Sequence, residues 1–423
     1  MREVEEMIKK SKILACFMIC AIGIMMTGCS NGNSTDKEGN VIDSSKVTLI
    51  TKVLPYGEVG YAMVCDYGDT IDLSSIDSSN FTVQVAVDSK MEERTITRVY
   101  TNDEIALAEE GKDGQYLVIE LDPEDENATT LGFDEDLFLN YRNEIDYKVT
   151  QKADVKTVGG NVFNATNEAV KYSNLITPIV DDFEKLTYED KDGNKLNYRF
   201  FEPKKEEGKK YPLVLFLHGS GERGDDNAMQ MLGNEGALVW AEPENQKENP
   251  AYILAPQAEA QEELTMYWTE EPNYSSVLSL LKETIEKYDV DENRVYVIGM
   301  SNGGIGTWNI IEKNPGLFAA AVPICGVADI DNLILEEEYK TLEDKSILRD
   351  IKDMPIWVFH AEDDPLVDVR ASREAVKAIQ DLGGKNVKYT EYPEGTVLPM
   401  GHFSWVPALQ DKEMIEWMFE QSK

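Results

Sequence analysis

The sequence predicts a mostly parallel α/β sheet with flanking helices, preceded by a small all-β sandwich. Three observations carry this. Beyond residue 182, apolar runs too continuous for a half-exposed sheet recur between stretches of helical spacing, as buried parallel strands joined by crossover helices require. Between Val47 and about Val155 the pattern is instead short runs of period two separated by turn clusters. Finally, Val295-Tyr296-Val297-Ile298-Gly299-Met300-Ser301-Asn302-Gly303-Gly304 runs straight into Ile305-Gly306-Thr307-Trp308, so a buried strand turns sharply into a helix with Ser301 at the corner.

The first residues read as a processing signal rather than as fold. Lys9, Lys10 and Lys12 precede an apolar run from Ile13 to Met26, which is shorter than the roughly 20 residues a spanning helix needs. Met26-Thr27-Gly28-Cys29 resembles the lipobox of bacterial lipoproteins, with methionine where leucine is usual. That resemblance implies a signal peptide over residues 1–28, lipid attachment at Cys29, and an exported protein held at the cell surface by its acyl chains alone. Residues 29–46, rich in Asn, Gly, Ser and Asp, are expected to be a flexible tether.

The sandwich is expected over residues 47–160. Phe81, Val83, Val85 and Val87 alternate with Thr82, Gln84 and Ala86, and Leu117, Ile119 and Leu121 fall likewise. No fixed-period repeat is seen, which argues against a propeller. Residues 161–182 are mixed in character and read as a linker, leaving 183–423 for the α/β domain. There Leu186-Thr187-Tyr188 and Leu196 to Phe201 flank the turn Asp192-Gly193-Asn194 as a hairpin. Central strands follow at Leu213 to Leu217, Tyr252 to Leu254, Val295 to Ile298, Ala319 to Pro323 and Ile356 to Phe359, with a crossover helix through Val277, Leu280, Leu281, Ile285 and Tyr288.

At 423 residues the chain is long enough for two cores, and its formal charge of -38 argues against nucleic acid as a partner, which would need a basic face. Of five cysteines, Cys16 and Cys20 leave with the signal and Cys29 would carry lipid. Cys65 and Cys325 fall in separate domains, so no disulfide framework is readable.

The Gly-x-Ser-x-Gly corner leaves the Ser301 hydroxyl exposed, with a helix N-terminus behind it. A serine so placed needs a base, and the chain has three histidines. His218 and His360 each follow a strand and read as structural. His402 alone comes after both the serine and the acid cluster Glu362-Asp363-Asp364-Pro365, giving the order Ser, Asp, His. Asp364 is the preferred third member because the following proline fixes the backbone, with Asp363 as the alternative. The backbone N–H groups of Asn302 and Ser220 are the expected oxyanion donors. Glu222, Arg223 and Asp225 read as a local ion-pair brace for the loop. Tyr267, Trp268 and Trp405 are candidate pocket aromatics.

With the elbow, His218-Gly219-Ser220-Gly221-Glu222-Arg223-Gly224, Ala255-Pro256-Gln257, Asp364-Pro365 and Gly401-His402 in place, the region from about 182 to 422 resembles the α/β-hydrolases. More narrowly it is similar to bacterial esterases described as predicted peptidases, near the dienelactone-hydrolase and feruloyl-esterase groups. The N-terminal region, with Arg94-Thr95-Ile96-Thr97-Arg98-Val99-Tyr100, resembles the immunoglobulin-like domain that some of these esterases carry. The resemblance implies Ser301 as nucleophile and His402 as base.

The expected function is a cofactor-free, metal-free serine carboxylesterase. The segment from Gly326 to Asp353, with Glu336, Glu337 and Glu338, looks too short and charged for a large apolar lid, so short-chain, aryl or polysaccharide-linked esters are the expected substrates. The rival readings are a serine peptidase of prolyl-oligopeptidase type and, in a different class, a surface carbohydrate-binding lipoprotein with an idle hydrolase fold. The sequence does not give the oligomeric state.

Overall fold

The computed structural model describes residues 40–87, 89–259, 267–329, 342 and 345–423. The signal peptide, Cys29, most of the tether and the Glu336-Glu337-Glu338 run lie outside the described residues.

The N-terminal region folds as two facing sheets. One has the order Asn174–Ile176, Val47–Leu54, Gly57–Asp66, Tyr116–Leu121, Ile96–Asn102, and the other Val170–Lys171, Tyr147–Gln151, Phe81–Val87, Lys90–Arg94. The alternation along Phe81, Val83 and Val85 points these side chains inward, where they meet Leu117, Ile119 and Leu121 from the opposite sheet in one apolar cluster. Residues 161–182, expected to be a linker, instead supply edge strands to both sheets. Asn174 to Ile176 runs parallel to Thr48 to Ile50, and Val170–Lys171 pairs antiparallel with Val149 and Lys148. Strands of two or three residues are too short to show a period, which is why the sequence hides them.

A hairpin formed by Leu131–Asp134 and Leu139–Arg142 stands apart from both sheets and pairs only with itself. Its Leu137, Phe133 and Tyr141 are exposed. Arg142 at its end pairs with Glu58 of the Gly57–Asp66 strand at 2.6 Å, and its turn meets the second domain.

That domain holds an eight-stranded sheet: β1 (Glu184–Glu189), β2 (Lys195–Phe201), β3 (Tyr211–Leu217), β4 (Tyr252–Gln257), β5 (Val290–Met300), β6 (Ala320–Ile324), β7 (Ile356–Ala361) and β8 (Val387–Tyr392). The spatial order is β1-β2-β4-β3-β5-β6-β7-β8, antiparallel at β1, β2 and β4 and parallel onward. Every residue of β3 is buried, as its unbroken apolar run demands. Helices α1 (Asn273–Lys287) and α3 (Arg370–Asp381) pack on one face, where Leu280, Leu281, Ala378 and Ile379 join a cluster with Leu213, Leu215 and Val297. Helix α4 (Lys412–Glu420) covers the other with Met414 and Met418. Among the described residues no helix is long and apolar enough to cross a membrane.

Candidate active site

β5 ends at Met300, and helix α2 (Asn302–Lys313) starts two residues later. Between them Ser301 has φ 53 and ψ −120, a conformation a residue with a side chain adopts only under constraint. The constraint is close packing. A Cβ on Gly299 would lie 2.2 Å from the Gly303 carbonyl oxygen, and one on Gly303 would lie 1.9 Å from that of Leu217. Only hydrogen at both positions lets α2 press against the ends of β3 and β5, which is what the Gly-x-Ser-x-Gly spacing encodes. The Ser301 N–H is held by the Ile324 carbonyl at 3.0 Å.

His402 sits in a short turn, Gly401–Phe403, and is 6 % exposed. Its Nε2 is 2.9 Å from Ser301 Oγ, and its Nδ1 is 2.8 Å from Asp364 Oδ2 and 3.0 Å from Oδ1. Asp364, in the loop after β7, has a fully buried side chain. Burial alone would raise this carboxyl, but hydrogen bonds from His360 and His402 outweigh it and hold it well below the usual carboxylate range. Asp363 points elsewhere: its Oδ2 accepts the Gly395 N–H at 2.9 Å. The structure therefore brings Ser301, His402 and Asp364 into one hydrogen-bonded chain and leaves Asp363 out of it. A Cβ on Gly401 would fall 2.5 Å from Asp363 Oδ1, so this glycine admits the loop on which the aspartates sit.

The other two histidines are enclosed. His218 is fully buried, its Nε2 accepts the Ala258 N–H at 3.1 Å and its Nδ1 donates to the Gly219 carbonyl at 2.6 Å. Burial lowers its pKa to about 4 and keeps the ring neutral. His360 is also fully buried, four residues before Asp364.

Ser220 opens the turn Ser220–Glu222, and its Oγ lies 3.4 Å from the side-chain amide of Asn302, the first residue of α2. The turn is tied down from several sides. Tyr267 donates to the Gly219 carbonyl at 2.8 Å and Trp268 donates to the His218 carbonyl at 2.9 Å. Trp268, expected as a pocket aromatic, is thus a buried support beneath the loop, because its indole N–H finds a carbonyl there. Tyr267 is buried beside it, their rings 5.7 Å apart. Trp405 does face the cavity, its ring edge-on to His402 at 5.4 Å.

The expected ion-pair brace does not form. Arg223, 1 % exposed, spends its guanidinium on carbonyls: Nη1 donates to Ser220 and Phe138, each at 2.7 Å, and Nη2 donates to Leu137. Beside it Asn140 Nδ2 lies 3.3 Å from Glu222 Oε1. Leu137, Phe138 and Asn140 belong to the separate N-terminal hairpin, so its partner is the loop that follows β3.

Above Ser301 opens a cavity of about 470 Å³. The N-terminal domain contributes Tyr56, Leu131, Phe133 and Phe138 to its wall, and the sheet domain contributes Leu366, Met400, Phe403 and Trp405. Tyr56 also donates to the Leu398 carbonyl at 2.9 Å across the mouth. Sequence reasoning missed the N-terminal half of this wall; an exposed hairpin carries no signal of what it packs against. Cys325, Asp364 and His402 offer ligand atoms within 4.8 Å of one another. The Asp364 oxygens and His402 Nδ1 are already paired to each other, which does not fit a metal cradle.

Residues 46–164 match the family model of the esterase Ig-like N-terminal domain, and residues 269–396 match that of the prolyl oligopeptidase family. A solved thermostable esterase is 40% identical, with 89% of this chain and 100% of that chain covered and a TM-score of 0.81. A ferulic acid esterase of Anaeromyces mucronatus is 16% identical over 55% of this chain and 91% of its own, with a TM-score of 0.44. An S-formylglutathione hydrolase of Staphylococcus aureus is 15% identical over 56% and 96%, with a TM-score of 0.42. No curated protein matches.

Proposed function

The chain belongs to the family of serine esterases that carry an Ig-like domain ahead of an α/β-hydrolase domain, and we propose that Ser301, His402 and Asp364 are its catalytic residues. The observation that carries this reading is the unbroken chain of hydrogen bonds, 2.9 Å from serine to imidazole and 2.8 Å from imidazole to carboxylate. Ser301 Oγ attacks the ester carbonyl while His402 Nε2 takes its proton; Asp364 keeps Nδ1 as the N–H and offsets the imidazolium charge. The developing oxyanion rests on the backbone N–H groups of Asn302 and Ser220. His402 then returns the proton to the leaving alcohol, and water cleaves the acyl-enzyme by the same route in reverse.

The cavity supports the substrate class. Its wall is mainly aromatic and aliphatic, so it suits uncharged esters with a short acyl or an aryl group, including those attached to polysaccharide. Replacing Ser301 with alanine should abolish p-nitrophenyl acetate hydrolysis in the folded protein; activity within about tenfold of wild type would reject the assignment. Acetyl, butyryl, feruloyl and acetyl-xylan esters tested side by side would rank the acyl groups. A second reading, peptide-amide cleavage, draws on the prolyl oligopeptidase match over residues 269–396, and matched ester and amide substrates separate the two. The lipobox-like Met26-Thr27-Gly28-Cys29 supports export and lipid anchoring at Cys29.

A further inference from the structure

The reaction above leaves one buried histidine without a task. His360 lies on β7, fully enclosed, with Nε2 at 3.1 Å from Asp364 Oδ2 and 3.0 Å from the Val367 carbonyl. Its Nδ1 is 2.8 Å from the hydroxyl of Ser372 on α3, which is also fully buried. These partners assign the proton. An ionised carboxylate and a carbonyl only accept, so Nε2 carries the hydrogen, Nδ1 carries the lone pair, and Ser372 donates to it.

Asp364 consequently sits between two imidazoles. Its Oδ2 receives His402 Nδ1 and His360 Nε2, while Oδ1 receives the N–H groups of Leu366 at 2.8 Å and Val367 at 3.0 Å. Val367 is used twice: its N–H holds the carboxylate and its carbonyl holds the ring that braces the carboxylate. A histidine that only filled the core would be satisfied by Ser372 and Val367; the contact with Asp364 is additional to both.

We propose that His360, its ring held in place by Ser372 and the Val367 carbonyl, is a positioning residue that fixes the rotation of Asp364 and shares its negative charge with His402. This rests on the catalytic reading of Ser301, His402 and Asp364. Other charges reach the same place. The Asp368 carboxylate is lowered chiefly by its hydrogen bond from Arg370 and that of Glu391 by its hydrogen bond from Arg373 on α3, and the Cys325 thiol is pushed up by burial and by Asp364. Without the His360 donor, more of the carboxylate charge falls on His402, the imidazolium is held more tightly, and the base is freed only at higher pH.

The test compares His360→Leu, His360→Gln and Ser372→Ala in the full chain, with p-nitrophenyl acetate kinetics from pH 5 to 9 and thermal melting. His360→Leu should lower kcat by about tenfold or more, the typical worth of a hydrogen bond to a charged group, with KM nearly unchanged. The acidic limb of kcat/KM should move to higher pH. His360→Gln, which returns an N–H near Nε2, should recover most of the loss, and Ser372→Ala should show a smaller loss of the same kind. Wild-type kcat and an unmoved limb in folded His360→Leu would overturn the proposal, as would equal loss in the Leu and Gln variants. Should the Leu variant not fold, Ser372→Ala decides: a wild-type limb overturns the proposal and a shifted one supports it. Covalent labelling of wild-type Ser301 by a fluorophosphonate keeps this outcome distinct from a failure of the catalytic reading.

Discussion

Replacing Glu222 with glutamine should make the protein more stable at pH 8 than the wild type and leave the two alike near pH 4.5. The residue is 7 % exposed and packed so closely that a Cβ on Gly233 would lie 2.9 Å from its Oε1, and one on Gly219 would lie 3.1 Å from its Oε2. Burial pushes its carboxyl up from 4.5 to about 7, against the hydrogen bonds from backbone N–H groups, Asn234 and Asn140. A folded-state value above the unfolded one means that the native protein binds the extra proton. The associated stability is present in full below about 4.5 and is lost as the pH rises through about 7. The gap between those values, at about 1.4 kcal/mol per pH unit, gives an upper bound of roughly 3.5 kcal/mol. Glutamine has nearly the same shape, still accepts from Asn140 and cannot ionise, so it removes the dependence while keeping the packing. Urea unfolding of both proteins at pH 5, 6, 7 and 8 measures the difference directly, since His218, Glu312 and every other titrating group cancel. A difference that stays constant over this range would refute the reasoning.

The packing around the elbow gives a sharper contrast. Gly303→Ala forces a methyl carbon to 1.9 Å from the Leu217 carbonyl oxygen and must part α2 from β3, so kcat should drop about a hundredfold or more, as when an oxyanion donor is displaced. Gly316→Ala, at φ +81 with nothing within 4 Å, should cost about 1 kcal/mol of stability and leave kcat unchanged; similar kcat values in the two variants would reject the argument. For the anchor, Cys29→Ser should move the protein from the membrane pellet to the soluble fraction of the producing cell, and a serine variant that stays in the pellet would count against lipid attachment.

How much of this the sequence shows depends on how local each cause is. The run from Tyr211 to Leu217 is apolar at nearly every position because both faces of β3 are covered, so burial is written into adjacent residues. The Ser301 corner is equally legible, because the close approaches that require Gly299 and Gly303 lie within the same few residues or against the neighbouring strand end. The sequence favours Asp364 through the proline that follows it but leaves Asp363 as an alternative, since adjacent side chains diverge and only the fold decides which one meets His402. Arg223 misled for a related reason. Its acidic neighbours suggested an ion pair, but its partners are carbonyls of residues 137, 138 and 220, two of them some 85 positions away. Trp268 and residues 161–182 went astray alike: an aromatic under a loop and a strand of two residues are defined by what they touch, not by any pattern of their own.

Arg223 has a consequence for how such a protein can change over generations. Its guanidinium is sealed in, and two of the three carbonyl oxygens that accept from it belong to another module, while a sealed cation deprived of its acceptors is costly to keep. Exchange of the front module by recombination would therefore succeed only when the newcomer brought a bend presenting oxygens at the same two points. The two halves of this chain are bound to be inherited together, and drift in one is limited by the other.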